Sequence, residues 1–248
     1  MPRLNDVRRY IRPTLPQLVI SISIIIPTWN EESELPACLQ SIGELTSMGE
    51  VILCDGGSSD RTREIATAAG ARVLNSPRRQ RGVQLNHAAR EARGEVLLFL
   101  HADTQLPSGW WSDLQSLFSR HPQIIGGAFK RRFDHPSLWL RITSWLADWR
   151  GRIWGTYYGD QAMFVRISAF RELGGFHHLD RCEDLDLALR MANVGPTRMI
   201  KRAVKSSGRR FLKHGPIRQT WMDFLVAREF IRTHPQESDR PGDLEASL

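Results

Sequence analysis

Ile22-Ser23-Ile24-Ile25-Ile26-Pro27-Thr28-Trp29-Asn30-Glu31 begins as an almost unbroken apolar run and turns polar within one step. A short apolar run without alternation is what a strand covered on both faces looks like. The segment after it, Glu34–Leu45, places Leu35, Leu39 and Ile42 on one side of a helix, so the pair reads as the first half of a βαβ unit.

The rhythm repeats outward from there. Val51–Cys54, Ala71–Leu74 and Val96–Leu100 read as further strands, and Asp60–Ala69 and Arg81–Arg93 as helices that stop before Gly70 and Gly94. Right-handed crossovers then place these strands in a mostly parallel, open, twisted sheet with helices on both faces, so the fold class is α/β. Past Leu100 the rhythm changes to a helix Gly109–Arg120, a strand Ile124–Phe129, an aromatic-rich helix Ser137–Arg150, a strand Ala162–Val165 and a helix from near Glu183. No internal repeat is present.

The chain has 248 residues and 41% hydrophobic composition, enough for a substantial core, so disorder is excluded as its main state. The balance of 34 Lys and Arg against 27 Asp and Glu, +7, points to a polyanionic partner: nucleic acid, a phosphorylated substrate or an anionic membrane. No apolar run reaches the roughly 18–20 residues of a membrane span. Residues 1–20 read as a basic arm with Arg3, Arg8, Arg9 and Arg12, residues 21–200 as the folded domain, and 201–248 as a basic segment whose end, Glu237–Leu248, has a disordered composition. Cys38, Cys54 and Cys182 are odd in number and widely spaced, which predicts free thiols and a cytoplasmic setting.

Polar clusters follow three of the strands directly: Pro27-Thr28-Trp29-Asn30-Glu31, Asp55-Gly56-Gly57-Ser58-Ser59-Asp60 and His101-Ala102-Asp103. In an open parallel sheet these are carboxyl-end loops, where ligands bind, so the three should meet in one cleft. The second cluster reads either as a ligand loop or as a tight βα turn with a helix cap. It is not a G-x-G-x-x-G, and no P-loop occurs anywhere. Asp103 reads either as an oxygen ligand for a divalent ion or as a turn aspartate before the next helix.

Together with Glu183-Asp184-Leu185-Asp186, these clusters resemble the ordered motif set of family 2 glycosyltransferases with a GT-A fold, over roughly residues 21–200. The form His101-Ala102-Asp103, the stretch Arg78–Asn86 and Gly159-Asp160-Gln161-Ala162 are similar to a bacterial subgroup associated with arsenosugar biosynthesis and radical-SAM proteins. The resemblance implies a Rossmann-like nucleotide-binding half and an acceptor half. Pro27, Thr28 and Glu31 would line the nucleotide pocket, Asp55 would accept a hydrogen bond from the base, and Arg81 would lie near base or diphosphate. Asp103 would match the last carboxylate of the family's DxD motif and hold Mg²⁺ or Mn²⁺, with His101 standing where the first aspartate belongs. Asp184, with Glu183 beside it, would match the general base of inverting members.

The resemblance would place Gly159, Asp160 and Gln161 on the donor-sugar side, where they could shape the sugar or acceptor site, with a buried structural carboxylate as the other reading of Asp160. Arg209 and Arg210 read as a basic flap over the diphosphate or as solvated surface charge. Leu138, Ile142, Trp145, Trp149 and Ile153 recur at helical spacing. With Trp139 and Trp154 they read as core packing or, beside Arg131, Arg132, Arg141 and Arg150, as a surface for lipid headgroups.

The expected activity is metal-assisted transfer of a sugar from a UDP- or GDP-type donor to an acceptor hydroxyl, with inversion. A lipid-linked acceptor and a peripheral position on the inner membrane face go with this expectation. A nucleotidyltransferase on a similar sheet is the alternative enzyme. A nucleic-acid-binding protein is the alternative class, and no nucleic-acid-binding signature supports it.

Overall fold

The computed structural model describes residues 20–43 and 49–234. The basic arm up to residue 19, the end of the first predicted helix and Glu237–Leu248 lie outside the described residues.

β1 (Ile22–Thr28) is the centre of the first half. It pairs in parallel with β2 (Gly49–Asp55) on one side and β4 (Val96–Phe99) on the other, and β2 carries β3 (Arg72–Asn75) in parallel at the edge. Between them run α1 (Leu35–Ile42), α2 (Thr62–Ala68) and α3 (Arg81–Glu91). Successive residues of β1 feed opposite sides of the sheet, as a period of two requires. Ile22, Ile24 and Ile26 join one buried cluster with Leu98 and Phe164, while Ile25 joins another with Phe99, Leu187 and Met191.

The second half mixes strand directions. β5 (Thr104–Gln105) and α4 (Trp110–Arg120) lead to β6 (Gly126–Phe133), α5 (Leu138–Trp154) and a 3-10 turn at Gly159–Gln161. β7 (Met163–Arg166), α6 (Ile167–Glu172), α7 (Glu183–Val194), β8 (Thr197–Ser206), α8 (Arg209–His214) and α9 (Pro216–Thr233) follow. The single sheet has the order β3-β2-β1-β4-β7-β6-β8-β5. β7 lies antiparallel between β4 and β6, β6 and β8 are parallel, and β5 closes antiparallel on β8.

Several expectations need correction. The strand expected at Ile124–Phe129 starts two residues later and runs on to Phe133. Its first residues, Gly126 and Gly127, look like a break in the sequence but serve close packing. A Cβ at Gly127 would lie 1.8 Å from the Arg198 carbonyl oxygen, and one at Gly126 would lie 2.4 Å from Phe164 O. The basic segment from residue 201 is not a separate tail over its described part, because β8 carries the sheet through residue 200 and two helices follow. The apolar stripe of α5 does not pack inward. Leu140, Ser144, Ala147 and Gly151 form its buried side, whereas Trp145 and Trp149 are exposed.

Gly127→Ala should force β6 and β8 apart. Backbone-on-backbone overpacking of this severity is expected to cost about 3 kcal/mol, at the upper end of measured cases. Thermal unfolding should record this as a Tm roughly 6–12 °C lower.

Candidate active site

The first two carboxyl-end loops are zipped together. Asn30 N–H donates to Ser58 Oγ (2.9 Å), Ser59 N–H to Asn30 Oδ1 (2.9 Å), Glu31 N–H to Thr62 Oγ1 (2.8 Å) and Glu32 N–H to Asp60 Oδ2 (3.1 Å). Beneath them, Gln84 of α3 donates to the carbonyls of both Thr28 (2.8 Å) and Cys54 (2.9 Å), tying the ends of β1 and β2 to one helix. Sequence reading missed Gln84. Its signal is a polar side chain in a helix where Gly82, Val83, Leu85, Asn86, Ala88 and Ala89 are also buried.

Asp55 belongs to this scaffold. Its carboxylate is buried and takes hydrogen bonds from Thr28 Oγ1 (3.2 Å), Ser58 Oγ, Gly57 N–H (3.1 Å) and Ser58 N–H (2.9 Å). Four donors fill the roughly four acceptor positions of a carboxylate. These donors hold Asp55 at the turn between β2 and α2, beneath the loops that line the cleft. Gln161 is also held within the protein. It is fully buried, accepts from Tyr158 N–H (3.0 Å) and donates to Phe129 O (3.4 Å).

Above the loops lies a cleft of about 1420 Å³ that brings together Pro27, Thr28, Glu31, Arg81, His101 and Asp103 from the first half. Asp160, Glu183, Asp184, Arg209 and Arg210 come from the second. Single-ligand pockets run to about 1,000 Å³, so this one has room for two substrates side by side.

The acids of the cleft are held by arginines. Arg209 places Nη2 2.8 Å from both Glu31 oxygens and 3.3 Å from Asp103 Oδ2. Burial pushes the Glu31 carboxyl up, and Arg209 offsets part of that rise. Arg81 donates to Glu183 Oε1 (2.8 Å). Burial pushes the Glu183 carboxyl up, Asp184 adds to the rise and Arg81 opposes it.

Arg131 pairs with Asp160 and is itself buried, so it is not the headgroup-facing residue the sequence suggested. Burial alone would raise the Asp160 carboxyl, but Arg131, with His101 and Arg210, holds it below the usual carboxylate range. Arg131 Nε, Asp160 Oδ1 and Arg150 Nη2 have no hydrogen-bond partner within the protein, and all three residues line the cleft. Arg210 pairs instead with Asp223 of α9 (2.8 Å).

Asp184 is held differently. Gly159 N–H (2.5 Å) and Leu185 N–H (2.7 Å) bind its two oxygens, fixing its direction without a cation. Gly159 sits between Asp184 and His101, since a Cβ there would come 2.5 Å from His101 Nε2 and 3.2 Å from Asp184 Oδ2. Burial, then Arg81, push the His101 imidazole below its ordinary range. Trp29, exposed on the cleft wall, has the Arg79 guanidinium 3.0 Å above its ring, another pairing the sequence did not reveal.

Among the described residues no cluster of three or more His, Cys, Asp or Glu could hold a metal by itself. Asp103 offers a carboxylate oxygen and His101 an imidazole nitrogen. That sparse set fits Mg²⁺ or Mn²⁺, which fill most of their shell from water and substrate phosphate.

Residues 23–175 match the model of the Glycosyl transferase family 2, and the chain belongs to that family. It is 38% identical over 93 residues to a 4,4'-diaponeurosporenoate glycosyltransferase of Staphylococcus haemolyticus, covering 35% of this chain and 25% of that protein. It is 35% identical over 264 aligned positions to a TPR repeat-containing protein of Synechococcus elongatus, covering 92% of this chain and 64% of that one. The chain therefore spans from a quarter to just under two thirds of these relatives' lengths. In structure it is similar to a Pyrobaculum calidifontis mannosyltransferase solved with GDP-Man and Mn²⁺, with a TM-score of 0.63 and 20% identity over 75% of this chain and 56% of that one. The likeness shows the fold, which is that of GT-A glycosyltransferases.

Asp160→Asn should leave Arg131 charged and buried without its counter-ion, at a cost of about 3–5 kcal/mol at neutral pH. The folded-state carboxyl is depressed, so its contribution is present above the ordinary carboxylate range and is lost as pH falls. Denaturant titrations at stepped pH should therefore show the gap between wild type and variant closing below about pH 4.

Proposed function

We propose that this member of glycosyl transferase family 2 moves a sugar from a nucleoside diphosphate donor to an acceptor hydroxyl, with inversion. One observation carries the reading. A single cleft joins the strand-end residues Thr28, Glu31 and Asp103 to the carboxylates Asp160, Glu183 and Asp184 across the sheet. The first group suits a nucleotide and its diphosphate, and the second suits the reacting hydroxyl.

Asp184 is the general base. Its oxygens are oriented by two backbone N–H groups rather than by an arginine, and it faces the cleft, whereas Glu183 is buried against Arg81. As the acceptor oxygen bonds to the anomeric carbon, its proton passes to Asp184. The bond from that carbon to the diphosphate oxygen breaks, and the nucleoside diphosphate leaves with the electron pair. Arg81 and Arg209 stand where they can stabilise the diphosphate's developing charge. Asp103, with His101 beside it, would hold a divalent ion whose part is to neutralise the diphosphate. Asp160 and Arg131 offer free hydrogen-bonding atoms to sugar hydroxyls. The sequence likeness at His101-Ala102-Asp103 and Arg78–Asn86 supports placement in the radical-SAM-associated subgroup.

In a thermal-shift panel of UDP, GDP and CDP with Mg²⁺ or Mn²⁺, one nucleotide should raise the Tm, more so with the ion. The expected gain is about 2.7 kcal/mol at a hundredfold excess over Kd. Asp184→Asn should keep that shift while transfer falls about 10²–10⁴-fold. Absence of any nucleotide shift, with steeply salt-dependent binding of duplex DNA, would overturn the reading. So would release of pyrophosphate from a nucleoside triphosphate.

A further inference from the structure

α5 is amphipathic in the unusual sense. Its buried face is made of small residues and Leu140, while Leu138, Ile142, Trp145, Trp149 and Ile153 point to solvent, with Trp145 63% exposed. α9 packs beside it, with Trp139 Nε1 donating to Thr220 Oγ1 (3.2 Å). It also turns apolar residues outward: Ile217, Trp221, Phe224, Leu225 and Ile231, with Trp221 61% exposed. Lone exposed apolar side chains are ordinary, but two adjacent helices bearing stripes of them mark a surface that meets something. Leu146, Trp149, Met222 and Phe224 belong both to this exposed set and to the cleft lining, so the cleft opens between the two helices.

The charge around the opening is one-sided. α5, α8 and α9 carry nine Lys or Arg against three Asp or Glu. Each acid is already paired: Asp148 with Lys130, Asp223 with Arg210 and Glu229 with Arg232. Arg141, Arg152, Lys213, Arg218 and Arg228 are exposed and stand in no ion pair among the described residues.

We propose that α5 and α9 seat this enzyme on an anionic lipid bilayer, and that its acceptor is an amphiphile whose hydroxyl head enters the cleft while its apolar part stays in the membrane. The substrate class rests on the transfer reading above; the docking surface does not. Stable peripheral attachment needs an apolar and a basic signal together, and both are on this face. Tryptophan and arginine at the rim suit the headgroup level. A second copy of the chain fits poorly, because a two-fold contact would oppose two basic faces and close the mouth of the cleft. The lining grades from Leu146, Trp149, Met222 and Phe224 at the opening to Arg150, Asp160 and Asp184 within, the order in which an amphiphile's tail and head would lie.

Sedimentation with vesicles tests this. The full chain should pellet with phosphatidylglycerol-containing vesicles, less with pure phosphatidylcholine, and be partly released by salt. The double variant Trp145→Glu/Trp221→Glu touches neither the cleft lining nor the ion pairs. It should lose vesicle binding by about tenfold or more while keeping the nucleoside diphosphate thermal shift. Acyl-brominated lipids should quench wild-type tryptophan fluorescence, a readout that needs no variant. Equal pelleting of the variant and wild type would overturn the proposal, as would no binding to anionic vesicles. A dimer in analytical ultracentrifugation that the same variant dissolves would assign the face to a second copy instead. Failure of the nucleotide shift with vesicle binding intact would remove the transfer reading and leave the docking surface.

Discussion

Carboxylates brought to the end of a parallel sheet and partly buried there must be neutralised, and this one requirement organises the molecule. Arg209 binds Glu31 and Asp103, Arg81 binds Glu183, and Arg131 binds Asp160. Each pair spans a long stretch of chain. Arg209 lies on α8 and reaches the loop after β1, Arg81 at the start of α3 reaches the start of α7, and Arg131 on β6 reaches the 3-10 turn. The Arg209 and Arg81 pairs thus tie the second half of the sheet to the first, and the Arg131 pair fixes the 3-10 turn against β6. Guanidinium suits the task because it stays charged and offers a planar fork to two oxygens. The exception is Asp184, the proposed base, which is oriented by backbone donors and forms no ion pair among the described residues.

Backbone strain falls at the same places. Asn30, Ala162 and Cys182 are the non-glycine residues with positive φ among the described residues, at 52°, 47° and 65°. Each stands next to a working segment: Asn30 before Glu31, Ala162 after Gly159-Asp160-Gln161, and Cys182 before Glu183-Asp184. A left-handed conformation at such residues persists only when the surroundings over-determine it. The surroundings here are named contacts. Asn30 is held by Ser58 and Ser59, Ala162 N–H bonds to Gly159 O (3.2 Å), and Cys182 O accepts from Asp186 N–H (2.9 Å).

The first half was legible because its signals are local. Ile22–Ile26 can only be a doubly covered strand, and three polar breaks after three such strands already predict one edge and one cleft. The second half depends on information the sequence does not order. Periodicity in α5 shows that one face is apolar, yet it does not say which way that face points. The deciding signal was the small set Ser144, Ala147 and Gly151, which lets α5 lie close on the sheet; a Cβ at Gly151 would meet Met199 of β8 at 2.4 Å. α9 went unread because Arg218, Arg228 and Arg232 interrupt its apolar pattern. A turn aspartate and a ligand aspartate look alike in sequence, so Asp55 carries both readings there; the structure adds the four donors that fix its carboxylate.

The excess of +7 also changes meaning once the cleft is drawn. The cleft lining holds eight arginines against seven Asp and Glu, so it is close to neutral as it stands. A diphosphate entering a nearly neutral site of lowered dielectric would carry its charge in at a high desolvation cost unless a further cation came with it. The proposed divalent ion would supply that cation. The surplus bases then lie outside the cleft, among them Arg141, Arg152, Lys213 and Arg228 of α5, α8 and α9. The charge that first suggested a polyanionic partner therefore separates into two parts, one balanced around the site of reaction and one unbalanced around the exposed apolar helices.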